Sequence, residues 1–106
     1  MIQNSKIARL LLVEDDEDDI LLTKRALKKG RIVVDLDVVR NGQEALEYLR
    51  KPNQYQDALR PDVILLDLNM PVMSGHETLR QIRSDDNLCD IPVIILSTSS
   101  AEKDIV

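Results

Sequence analysis

Six acids stand in an unbroken row from Glu14 to Asp19, directly after the apolar run Ile7 to Val13, which only Arg9 interrupts. Farther along, Asp67 closes the apolar run Val63 to Leu66, and Ser97 and Thr98 follow the run Val93 to Leu96. If these runs are strands of one sheet, Glu14, Asp15 and Asp67 converge on one edge of it. Carboxylates held that close raise one another's pKa and call for a cation. With no His or Cys beside them the ligands are all oxygen, which favours a hard ion. Mg²⁺ takes one or two carboxylates together with waters and a phosphate. An Asp at the end of a buried strand can also act as a nucleophile toward phosphorus and form an acyl phosphate. Mg²⁺, backbone amides and a hydroxyl would then stabilise the charge on the phosphoryl oxygens.

Plainer readings compete at each position. Acids at strand ends commonly cap the next helix, and Asp16 to Asp19 suit that role. A calcium loop over Asp15 to Asp19 fails, because Ile20 stands where the sharp-turn glycine belongs. His76 is the single histidine and reads as a surface residue at a helix start. Lys24, Lys28 and Lys29 read as a solvated helix face, and the one cysteine, Cys89, as a half-buried small residue that excludes a disulfide framework.

Strands must present these residues, and the pattern supplies them. Val33 to Val39 sets Asp35 and Asp37 between apolar residues, the alternation of a half-exposed edge strand. Val63 to Leu66 and Val93 to Leu96 are uninterrupted, as interior parallel strands covered on both faces are. Between the strands, a capping residue followed three positions later by an acid recurs at Asp16/Asp19, Asn41/Glu44, Ser74/Glu77 and Ser99/Glu102. Gly30 ends the first helix, Pro52 the second and the polar run Ser84 to Asn87 the third. Ala45, Leu46 and Leu49 have the spacing of a helix face turned to the sheet. The alternation β-α-β-α-β-α-β gives an α/β fold, a doubly wound parallel sheet with right-handed crossovers. An edge-like second strand fits the flavodoxin-like order beginning 2-1-3, whose sites lie outside the carboxyl ends of the strands.

Length and charge bound the rest. The 106 residues make one domain, spanning 1–106, with 43% hydrophobic residues for a core. A net charge of -5 argues against nucleic-acid binding by this chain. No apolar run approaches the roughly 20 residues of a membrane span, and no signal-peptide pattern opens the chain. A cytoplasmic location is expected.

In order and spacing, VEDD (Val13 to Asp16), LLDLNMP (Leu65 to Pro71), Gly75 and IPVIILSTSS (Ile91 to Ser100) resemble the receiver domains of two-component response regulators. The resemblance covers essentially the whole chain. It implies a CheY-like sheet in the order 2-1-3-4-5 and a phosphoryl group accepted on Asp67 from a sensor histidine kinase. It makes Asp15 a direct Mg²⁺ ligand, Glu14 a second acid of the pair, and the Asn69 backbone carbonyl a further ligand. Ser97 matches the hydroxyl that binds the phosphoryl group and takes part in the switch. The Glu-Asp pair replaces the commoner Asp-Asp. The chain is most similar to short stand-alone regulators of phytochrome-type histidine kinases. It is expected to be a phosphoacceptor signalling protein rather than an enzyme, acting through protein contacts.

Two alternatives stand beside this reading. One is a receiver-like interaction module that is never phosphorylated. The other is a phosphatase of the haloacid-dehalogenase type, which wants a second Asp where this chain has Asn69. The sequence stops at Val106, before the family's fifth strand, its switch aromatic and its phosphoryl-binding lysine, for which Lys103 is in the wrong place. Without a fifth strand, Val93 to Leu96 would be an apolar edge, expected to draw copies into a homodimer, a segment exchange or aggregation.

Overall fold

The computed structural model describes residues 7–50, 60–68, 70 and 72–96. Four parallel strands form one sheet in the order β2-β1-β3-β4: β1 Ala8–Val13, β2 Val34–Val39, β3 Val63–Asp67 and β4 Val93–Leu96. Helices α1 Glu17–Lys29, α2 Gly42–Leu49 and α3 Gly75–Ser84 make the crossovers. Register is continuous across the centre: Val13 pairs with both Val39 and Leu66, and Asp67 pairs with Leu96. All three described β-to-α turns therefore open on the same edge of the sheet.

The uninterrupted apolar runs resolve into two cores, because alternate residues of a strand face opposite ways. Leu11, Val13, Ile64 and Leu66 pack with Ala45, Leu46 and Ile82 beneath α2 and α3. Leu12 and Leu65 pack with Ile20 of α1 on the other face. The helix face expected from Ala45, Leu46 and Leu49 is the one that packs. Strand β2 is an edge, with Asp35 and Asp37 exposed on its outer positions.

The expected caps are present. Asp16 accepts from the Asp18 and Asp19 amides, Asn41 from Glu44 and Ser74 from Glu77. The reciprocal reach of the acid is only partly made. Glu44 accepts from the Arg40 amide at 2.8 Å, one residue before the cap, and Glu77 pairs instead with Arg80 and Gln81. Gly30 does end α1, but with φ of -78°, and the left-handed turn falls on Arg31 at φ 59°. Pro52 and the fourth start at Ser99/Glu102 lie outside the described residues.

Of the two expectations for β4, an interior strand covered on both faces and an apolar edge, the described residues show the edge. The strand pairs only with β3 among the described residues, and Ile94 and Ile95 are 51% and 40% exposed. Cys89 is exposed rather than half-buried, because it lies in the turn after α3 that buries Leu88 and Ile91 instead. His76 and the three α1 lysines are exposed, as expected.

Candidate functional site

The carboxyl edge of the sheet gathers the acids. Glu14 follows β1 and Asp67 ends β3, one rung beyond the pair Val13 and Leu66. The Glu14 amide donates to the Val39 carbonyl at 2.9 Å, which ties the end of β1 to β2. Glu14 and Asp67 are 1% and 2% exposed, and Asp15 is half-buried. One oxygen from each of the three lies within 4.8 Å of the others. Asn69 and Ser97, expected to complete the site, lie outside the described residues.

Packing two carboxyl groups into that space is unfavourable if both are ionised. Burial pushes the Glu14 acid up to about 8, against the pull of the Asp16 amide, and the charge of Asp67 adds to the rise. The two side chains also share a hydrogen bond. Either a proton or a cation must therefore sit between them. The donor set is three carboxylates, so the residues fit a hard divalent cation. Two oxygens each about 2.1 Å from one Mg²⁺ can be at most about 4.2 Å apart. A separation of up to 4.8 Å is thus closed by a small side-chain movement or by one ligand acting through water.

Local structure holds the loop after β3 close to the site. The Gly75 amide donates to the Leu68 carbonyl at 3.1 Å, closing the loop onto α3. A Cβ at Gly75 would overlap the Asp67 carbonyl oxygen and lie 2.6 Å from the Leu68 Cα. Close approach, not a left-handed turn, is what this glycine permits. Within the loop, Val72 is 81% exposed and left-handed, at φ 70°.

Three features escaped the sequence reading. Thr78 is fully buried yet satisfied, since its hydroxyl donates to the Ser74 carbonyl at 2.8 Å. Tyr48 of α2 donates to Asp37 of β2 at 2.5 Å. The Asp16 amide donates to Glu14. For the first two, only a helical or strand period was available, which gives a face and not a partner.

A 2-1-3-4 parallel sheet with an acidic trio at its carboxyl edge is the architecture of a CheY-like domain. The model of the response regulator receiver domain matches residues 10–106, and the chain belongs to that family. Response regulator Rcp1 of Synechocystis is 39% identical over 97 residues, 92% of this chain and 66% of that protein. The probable methanogenesis regulatory protein FilR2 of Methanothrix harundinacea is 38% identical over 91% of this chain and 61% of its own length. The chain thus spans somewhat less than two thirds of these relatives. Among solved structures, the phosphorylated cyanobacterial phytochrome response regulator RcpA is 46% identical with a TM-score of 0.78, covering 94% of this chain and 71% of that one. The Mn²⁺-bound form of Rcp1 superposes with a TM-score of 0.76 at 39% identity, over 92% and 70% of the two chains. Among the described residues, no helix is long and apolar enough to cross a membrane.

Proposed function

We propose that the chain accepts a phosphoryl group on Asp67 from a sensor histidine kinase and signals through protein contacts. The observation that carries this reading is the buried Asp67 carboxyl at the end of β3, with oxygens of Glu14 and Asp15 within 4.8 Å. In the step, an Asp67 oxygen attacks phosphorus and forms the acyl phosphate. The bond from phosphorus to the donor imidazole nitrogen breaks, and that nitrogen keeps the electron pair and takes up a proton. Mg²⁺, held by Glu14, Asp15, Asp67 and the Asn69 carbonyl, would supply the charge that offsets the phosphoryl oxygens. Ser97 would donate its hydroxyl to one of them.

Similarity to RcpA, a phytochrome response regulator by its description, supports a phytochrome-type kinase as partner. The Mn²⁺-bound form of Rcp1 supports a divalent ion, with Mg²⁺ the choice from the ligand chemistry. Asn69, which has no carboxyl proton to give, speaks against a phosphatase with its own turnover. The net charge of -5 favours protein partners over nucleic acid, in a cytoplasmic setting. Mass spectrometry after acetyl phosphate and Mg²⁺ tests the core claim. Wild type should gain one acid-labile phosphoryl group and Asp67→Asn none; equal gain by the mutant would refute it.

A further inference from the structure

Asp16 is exposed and outside the trio of converging carboxylates, yet it touches that trio through its backbone. Its Oδ1 accepts from the Asp18 amide at 2.8 Å and the Asp19 amide at 3.2 Å, two of the amides that the first turn of α1 leaves without helical partners. Capping of this kind holds the residue in an extended conformation, here φ -87° and ψ 120°. In that conformation the Asp16 amide donates to Oε2 of Glu14 at 3.3 Å. The Glu14 main chain is held by its bond to the Val39 carbonyl, and its side chain meets the Asp67 carboxyl as well as the Asp16 amide. That side chain is buried, and a buried carboxylate aimed wrongly finds no water to satisfy it.

The geometry points to Asp16 as a positioning residue: by capping α1 with its side chain it aims its amide at Glu14 and so presets one carboxylate of the cation site. This rests on the proposed role of the site. It gives the third acid of the row a task that is neither ligation nor simple surface charge. It also separates two properties that Asp16 combines, a capping oxygen and a negative charge. Asn keeps the cap and loses the charge, while Glu keeps the charge and is one methylene too long for the cap.

The test is Mg²⁺ competition against Tb³⁺ luminescence on the full chain, well below the unfolding midpoint of every variant. Asp16→Glu should weaken Mg²⁺ binding about fivefold, the loss expected of one orienting hydrogen bond. Asp16→Asn should stay within about twofold of wild type. Leu27→Ala, a change at a half-buried position in the last turn of α1 and far from the site, should leave affinity alone whatever it does to the midpoint. Wild-type affinity in Asp16→Glu overturns the inference. So does equal weakening in Asp16→Asn, which would assign the effect to charge, or in Leu27→Ala, which would assign it to helix stability. Asp15→Asn reads the site itself. If it binds as tightly as wild type, the cation site fails; if it is weak while Asp16→Glu is unchanged, only the role of Asp16 falls.

Discussion

Glu14 and Asp67 lie one rung beyond the last β1 to β3 pair, and their buried carboxyl groups share a hydrogen bond that requires a proton. Without a cation, the folded chain keeps that proton on Glu14 up to about pH 8, whereas the ordinary value is 4.5. Between those limits the folded state binds the extra proton, so stability falls as pH rises. The contribution is fully present below the unfolded pKa and lost as pH passes the folded one. We expect metal-free protein to be less stable at about pH 8.5 than at about pH 5, by on the order of a few kcal/mol. Urea unfolding in a chelator should show it, and Glu14→Gln or saturating Mg²⁺ should flatten the slope. A pH-independent midpoint in metal-free wild type would remove the Glu14 and Asp67 coupling.

Asp15 is the least buried of the trio, and the ligand a solvated ion can reach with least desolvation. Asp15→Asn should weaken Mg²⁺ by at least about tenfold, the lower end of what even an outer-sphere partner contributes. Stability without metal should stay within about 0.5 kcal/mol of wild type. An NMR titration that gives unchanged affinity would count against direct ligation.

Val72 carries a strain that relief should expose. A β-branched residue at φ 70° costs about 1–2 kcal/mol, and at 81% exposure its side chain gains little from packing. Val72→Asn, a residue that tolerates this conformation, should therefore raise stability by about 1 kcal/mol. The denaturant midpoint should rise with no change in slope. A lower midpoint would show that Val72 packs where the structure leaves it exposed.

Much of this was legible in the residues, for identifiable reasons. Strand runs and caps are local, so Asp16, Asn41 and Ser74 could be placed without tertiary knowledge. The convergence of Glu14 and Asp67 followed from topology, because parallel strands bring their carboxyl ends to one edge. What could not be read depends on contacts far apart in the chain. The bond from Tyr48 of α2 to Asp37 of β2 joins two elements whose periods give a face and not a partner. Nothing about Val72 announces a left-handed backbone, since the loop around it imposes that conformation.

The fit of α2 against α3 gives a prediction of coupling rather than of a single loss. Gly42, the first residue of α2, is buried against Thr78 of α3. A Cβ there would fall well inside contact distance of the Thr78 hydroxyl and 3.1 Å from the Met73 Cβ. Thr78 cannot swing away cheaply, because a β-branched side chain in a helix has few rotamers and its hydroxyl is bonded to the Ser74 carbonyl. Gly42→Ala should therefore cost about 2 kcal/mol, within the range for overpacking. Thr78→Ala alone should cost about 1–2 kcal/mol for the lost methyl and hydrogen bond. Together they should cost less than their sum by about 1 kcal/mol or more, since the alanine at 78 vacates the space that the alanine at 42 needs. Gly75→Ala should show no such rescue. Its Cβ meets the backbone of Asp67 and Leu68, which no side-chain truncation can clear. Urea unfolding of the four proteins in the Gly42/Thr78 cycle, with Gly75→Ala beside them, measures this. Strict additivity at Gly42 and Thr78 would mean that the two helices are not in the contact the structure gives them.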